Sequence, residues 1–351
     1  MSRLGCRSLS WILVSLLWVG CSGSVSTVPS QPLVSPAPPI VAGRGTLAVI
    51  NVADAAAKRV WIFPPHSDKF SREIIFHGSQ FQPNSLAFDR RGSIYIGVND
   101  TSSNGAYRVL EVNLRDFKVA REIDGLRQWD RGSVGIDDQN NLYVATKAFI
   151  GGDIKIFRPN RETRPYIEIK DPLEPSKMLV GRDALWVGYT GAAGILNALT
   201  RYRLRSTDQT WVQSTGSDRS AALAANPDDS LLAVVLSLSQ KNVVDVFDPK
   251  SRKRARILEG FGRMTSDESG NLYIAERPDR VHVCSFSSCT RSFETPHTWS
   301  PLAVAVSPLD GMLYVTTGGK PSVEVYDPRT GKLVMRIAQK GFEPTALAIE
   351  P

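Results

Sequence analysis

Seven short apolar strand motifs recur every 41–48 residues, each set among alternating strand signals. The repeating region opens on a strand without its partner and closes on one without its continuation. Together these predict an all-β, seven-bladed β-propeller over residues 44–351, closed by pairing of the C-terminal strand with the N-terminal blade.

The recurring motif comes first. It reads Leu47-Ala-Val49, Ile94-Tyr-Ile96, Leu142-Tyr-Val144, Leu185-Trp-Val187, Leu231-Leu-Ala233, Leu272-Tyr-Ile274 and Leu313-Tyr-Val315. Upstream lies a second strand ending in a polar turn, as in Leu86-Ala-Phe-Asp89, Val134-Gly-Ile-Asp137, Leu223-Ala-Ala-Asn226 and Val304-Ala-Val-Ser307. Downstream lies an alternating strand that stops at proline: Val60-Trp-Ile-Phe-Pro64, Ile154-Lys-Ile-Phe-Arg-Pro159, Val244-Asp-Val-Phe-Asp-Pro249 and Val323-Glu-Val-Tyr-Asp-Pro328. Period-2 alternation of β-branched and aromatic residues specifies strands, and proline ends them without costing a ladder bond. A weaker fourth strand follows, such as Leu333-Val-Met-Arg-Ile337. Four short strands per repeat make a blade. The segment Glu343-Pro-Thr-Ala-Leu-Ala-Ile-Glu-Pro351 is an upstream strand with nothing after it, and Gly45-Thr-Leu-Ala-Val49 lacks one before it. Pairing the two removes the open sheet edges.

The N-terminal residues carry a different pattern. Arg3 and Arg7 precede an apolar run from Leu9 to Val19, too short to span a bilayer, which ends at Gly20-Cys21-Ser22. This resembles a bacterial lipoprotein signal, with Leu17 one step earlier than usual. The resemblance implies a signal peptide at 1–20, removed before Cys21, and acylation of Cys21. It places the protein on the bacterial outer membrane or in the periplasm, attached through its N-terminal lipid. An ordinary cleaved signal and a soluble periplasmic protein is the alternative. Residues 21–43 are rich in proline and serine and are expected to form a semi-extended tether.

Of the four cysteines, Cys6 would leave with the signal and Cys21 would take the lipid. Cys284 and Cys289 remain, spaced to face each other across a tight turn in a compartment that permits oxidation, so a disulfide is expected. A metal pair is the weaker alternative, since no second Cys or His pair accompanies them.

The segment Leu313-Tyr-Val-Thr-Thr-Gly-Gly-Lys-Pro-Ser-Val-Glu-Val-Tyr-Asp-Pro-Arg-Thr-Gly-Lys332 resembles the Tyr-Val-Thr-Asn (YVTN) repeats of bacterial propellers. Asn141-Leu-Tyr-Val144 and Gly270-Asn-Leu-Tyr-Ile274 are similar to NHL repeats. These resemblances imply fold rather than chemistry, because such propellers include binding, scaffolding and enzymatic proteins.

Propeller sites form where loops lead into the innermost strands. Aligning the repeats gives one column at that mouth: Gln82, Asp130, Glu174, Arg219, Glu259, Ser300 and Glu343. Four carboxylates in one ring would make a negative mouth suited to amines, polyhydroxylated ligands or a divalent cation. Solvated loop carboxylates with no shared ligand are the plainer reading. Trp129 and Trp299 flank the column, to pack blade tops or to stack on a ligand. The four histidines, His66, His77, His282 and His297, fall outside it. A gluconolactonase-type metal site would need amide ligands, for which Gln82 and Asn84 are the nearest. Trp299-Ser-Pro-Leu302 stands where phosphogluconolactonase-like propellers carry an Arg-His pair. Glu276 resembles the glutamate of streptogramin-lyase-like propellers, without their histidine pair. No residue set amounts to general acid–base or nucleophilic catalysis.

The net charge of +7 comes from 42 basic residues scattered among 35 acidic ones, a mixed solvated surface. One basic run, Lys250-Ser-Arg-Lys-Arg-Ala-Arg256, is expected in the outer turn of blade 5, solvated or against anionic lipid. Nucleic acid is excluded by export. The expected function is a monomeric module that binds an envelope protein or a small polar ligand, without a resident cofactor. The alternative is a metal-assisted lactonase or hydrolase using the mouth carboxylates.

Overall fold

The computed structural model describes Leu33–Val34 and residues 44–53, 57–78, 80–102, 106–127, 132–147, 151–159, 162–171, 173–190, 197–216, 220–236, 243–259, 262–295, 301–318 and 321–351. Expectations for Cys21, the signal and most of the tether lie outside the described residues.

The described chain is all-β and folds into seven antiparallel sheets, a seven-bladed β-propeller. Six sheets have four strands each, in sequence order or its reverse. Their inner strands are Phe81–Phe88, Ser133–Ile136, Glu174–Val180, Ser220–Ala225, Gly262–Ser266 and Val304–Val306. The remaining blade takes its inner strand from the end of the chain. Pro344–Ile349 pairs with Leu47–Asn51, with Leu47 opposite Ile349 and Asn51 opposite Pro344. This is the closure expected from the sequence. Ala57–Phe63 and Arg72–His77 complete that blade, and Leu33–Val34 adds to its outer edge. Each inner strand touches the next around the ring.

The closure is held by more than the ladder. The N–H of Gly45 donates to Glu350 O at 3.0 Å, and that of Glu350 donates to Thr46 O at 2.8 Å. Asn51 clamps the other end. Its Nδ2 donates to Gly341 O at 2.8 Å, and its Oδ1 accepts from Glu343 N at 2.7 Å. Trp61 is sandwiched between Phe70 and Phe342, with ring centroids 4.8 and 5.0 Å away.

The second strand of each blade is buried on both faces, which is why its sequence is a continuous apolar run rather than an alternation. Leu47–Asn51, Ala184–Thr190, Leu232–Leu236 and Leu313–Thr317 are buried throughout. The core lies between blades. Tyr95, Tyr107 and Val109 of blade 2 pack on Leu142, Val144 and Phe157 of blade 3. Each such side chain contributes roughly 1.5–3 kcal/mol of burial free energy.

The turn between first and second strands has one internal logic in three blades. In blade 2, Asp89 Oδ1 accepts from Arg91 N and Ser93 N, and the Tyr95 hydroxyl points at Oδ2. Blade 3 repeats this with Asp137, Gln139, Asn141 and Tyr143, and blade 6 with Asp267, Ser269, Asn271 and Tyr273. A carboxylate thus caps the turn at positions i+2 and i+4 and anchors the tyrosine at i+6. Burial pushes all three phenols well above their ordinary range, with the neighbouring carboxylates adding to the shift, so they stay neutral donors.

Blade 4 lacks such an aspartate and borrows one. Asp229, from the equivalent turn of blade 5, accepts from Asp183 N at 2.6 Å, Ala184 N at 3.1 Å and Trp186 Nε1 at 3.2 Å. Trp186 stands where blades 2, 3, 6 and 7 carry Tyr95, Tyr143, Tyr273 and Tyr314. Gly181 makes room, since a Cβ there would sit 2.1 Å from Asp229 Oδ1.

Cys284 and Cys289 form a disulfide across the turn that joins the two outer strands of blade 6. The basic run of blade 5 departs from expectation. Only residues 249–252 form the turn, and Lys253–Glu259 is the outer strand, so Arg254 and Arg256 lie along an exposed edge. Strand alternation with Leu258, buried in the core, outweighs the local charge.

Candidate functional site: the upper channel mouth

All seven inner strands run from one end of the central channel to the other. Where they begin, here the upper mouth, lies a cavity of about 720 Å³. Its walls are built by an irregularity in the inner strands. Pro83 pairs with Val98 and Ser85 with Gly97, leaving Asn84 as the extra residue of a bulge. Ser176 is extra between Pro175 and Lys177, and Thr345 follows Pro344 at a third such break. Proline offers no N–H to the ladder, and a bulge re-aims the side chain after it. Asn84, Ser176 and Thr345 accordingly all line the cavity. The following position adds Ser85, Ser133, Lys177 and Arg263.

Polar geometry is best defined at Asn84. Its Oδ1 accepts from Ser85 Oγ at 3.2 Å and from the Tyr107 hydroxyl at 3.4 Å, and those two hydroxyls lie 2.8 Å apart. Tyr107 is fully buried, and burial raises its phenol far above the ordinary value, so it stays protonated. Gly97 allows this approach, because a Cβ there would lie 1.8 Å from the Tyr107 hydroxyl oxygen. Asn84 is therefore fixed by its oxygen, while its Nδ2 is buried without a hydrogen-bond partner. Such a donor costs free energy until an acceptor reaches it.

The charged residues lining the cavity, among those described, are Lys147, Lys177, Arg263 and Glu174. Glu174 is ion-paired with Lys147 at 2.8 Å. The described wall thus carries more positive than negative charge.

Of the column expected from the sequence, Glu174 reaches the cavity. Gln82 and Glu343 sit at the same end of their strands, are exposed, and do not line it. Glu259 is the last residue of the outer strand Lys253–Glu259, ahead of its blade's inner strand. Asp130, Arg219 and Ser300, with Trp129 and Trp299, lie outside the described residues. In five blades residues two and three positions later line the mouth: Asn84 and Ser85, Gly132 and Ser133, Ser176 and Lys177, Leu302 and Ala303, and Thr345 and Ala346. Proline at positions 83, 175 and 344 was the signal that could have revealed this.

Among the described residues, no group of three or more His, Cys, Asp or Glu side chains is placed to share a metal ion. Away from the mouth, His282 Nε2 lies 2.7 Å from Glu276 Oε2 in blade 6. This pairing was not legible in the sequence, where the two seemed unrelated.

No protein-family model matches the chain, and neither does any curated protein. Among solved structures, it is similar to the WD40 beta propeller domain of Doa1, with a TM-score of 0.58 at 12% identity, over 84% of this chain and 95% of that one. The likeness at this identity is one of fold: the chain is a seven-bladed β-propeller.

Proposed function

We propose that this chain is an exported propeller, lipid-anchored at Cys21, that acts as a binding module and holds a small polar ligand bearing negatively charged or carbonyl oxygens at its upper mouth. The observation that carries this reading is the buried, unpartnered Nδ2 of Asn84 on a cavity wall shared with Lys177 and Arg263. A held amide donor beside cations recognises oxygen acceptors and orients them. The export signal and tether support a periplasmic or outer-membrane setting for it.

The test is a thermal-shift and calorimetric screen of the full chain against carboxylates, sugar acids, neutral sugars, amines and divalent metals. A ligand that binds only the folded state raises the melting temperature. The expected result is a shift from an acid that shrinks in Asn84→Ala and in Lys177→Ala plus Arg263→Ala. A response confined to amines or metals would refute the anionic reading. Palmitate labelling that is lost in Cys21→Ala tests the anchor.

A further inference from the structure

The opposite mouth carries a separate group of charges. A cavity of about 480 Å³ there is lined by Arg44, Arg90, Arg91, Arg115, Glu268 and Glu350. These residues come together through the closure. Arg44 leads into the first strand, and Glu350 ends the closing strand beside it. Arg90 and Arg91 lie in one turn of blade 2, and Arg115 lies in its other turn on the same side.

None of these four guanidiniums has an ion-pair partner among the described residues. Some arginines elsewhere are matched, as Arg59 is with Glu73, Arg108 with Asp100 and Glu122, Arg121 with Glu111, and Arg336 with Glu324. Four arginines against two carboxylates, Glu268 and Glu350, leave the lining of this hollow net positive, and an anion would complement it. Glu350 supplies the second observation. It is 94% buried, being 6% exposed, and its Oε2 has no hydrogen-bond partner. Burial, and then the Asp89 charge, holds its carboxyl above the ordinary value of 4.5, against the bond it accepts from Thr46. A raised carboxyl takes up a proton more readily than a free glutamate does, and in that form its O–H donates to an oxyanion rather than repelling it.

We propose that this lower-mouth cavity is a second ligand site, which binds the oxyanion of a phosphate group through Arg44, Arg90, Arg91 and Arg115 with Glu350 at its base. Planar guanidiniums offer paired N–H groups that match phosphate oxygens, and several of them favour a group with more than one charge or acceptor edge over a single carboxylate. A free phosphate and a phospholipid headgroup share that chemistry. The headgroup arm rests on the lipid anchoring proposed above, which would keep the propeller near a membrane surface.

The experiment uses the full chain and three probes: inorganic phosphate, vesicles containing phosphatidylglycerol, and vesicles of phosphatidylcholine alone. Phosphate binding is read by calorimetry and melting temperature, vesicle binding by co-sedimentation. Arg91→Ala plus Arg115→Ala removes two exposed cations, and Lys177→Ala plus Arg263→Ala serves as the upper-mouth control. The expected result is phosphate binding that survives in the control. It should weaken about tenfold or more for each arginine removed. Excess sedimentation with phosphatidylglycerol that the arginine variant loses, without a response to free phosphate, supports the site with a headgroup as its ligand. Three results would overturn it: no response to either phosphate probe, an equal response in the arginine variant, or a response lost only in the upper-mouth control.

Discussion

Replacing Asp229 with alanine tests whether one blade's turn is held by its neighbour. Asp229 is 1% exposed and accepts three hydrogen bonds from blade 4, at 2.6, 3.1 and 3.2 Å. Two of the donors, Ala184 N–H and the Trp186 indole, are buried, while Asp183 is exposed and can turn to water. Leaving a buried donor unsatisfied costs about 1–3 kcal/mol. Asp229 also has φ 54°, a left-handed conformation that aspartate tolerates better than alanine does, by about 1 kcal/mol. The sum is a loss of about 3–7 kcal/mol. Asp229→Asn, which keeps the left-handed preference and one acceptor oxygen, should lose about half as much. Urea unfolding of the full chain followed by tryptophan fluorescence measures both. Gly181→Ala closes the cycle: its new Cβ would meet Asp229 Oδ1 at 2.1 Å, so it should be costly in the wild type and mild in Asp229→Ala. An Asp229→Ala chain within about 1 kcal/mol of wild type, or equal costs for Gly181→Ala in both backgrounds, would refute a load shared between blades.

Deleting residues 343–351 strips Leu47–Asn51 of one partner and Asn51 of its Glu343 bond, so the melting temperature should fall by about 10 °C or more; unchanged melting would refute closure by this strand. Reducing Cys284–Cys289, whose sequence separation is 5, should cost about 2 kcal/mol of stability by the chain-entropy relation, and mass spectrometry of the alkylated chain should find no free thiol at either position before reduction. Glu350 binds its proton more tightly in the folded state than in the unfolded one. Its stabilising contribution is therefore complete below the unfolded value and is lost as pH rises through the folded one. Glu350→Gln should raise the melting temperature at pH 8 and leave it nearly unchanged at pH 4; the opposite order would contradict a raised carboxyl.

Propeller, blade count and closure were legible because blade burial imposes a pattern the chain cannot hide. The second strands must be apolar on both faces, as Leu142-Tyr-Val144 and Leu313-Tyr-Val315 are, and proline closes third strands in turns, as Pro249 and Pro328 do. The disulfide was legible from spacing alone. The mouth was less so. A straight alignment put Gln82 and Glu343 at the rim, but bulges after Pro83 and Pro344 advance the inward-facing position to Asn84 and Thr345. A one-residue insertion in a period-2 element exchanges its faces, and only the prolines at 83, 175 and 344 mark where it falls. Asp229 was hidden for another reason: its partners lie 43 to 46 residues away in another blade, where only packing shows that Trp186 has taken the tyrosine's place.

The two-sided pairing of the first blade's Leu47–Asn51 strand has a mechanical consequence. Arg44 leads through Gly45 and Thr46 into Leu47–Asn51, a strand laddered on one side to Pro344–Ile349 and on the other to Ala57–Phe63. Tension drawn along that strand would load both ladders in shear, so their hydrogen bonds would resist together instead of peeling open one at a time. A pull applied at Arg44 would grip the ring through an interior strand, and the closing residues of the chain would share the force directly.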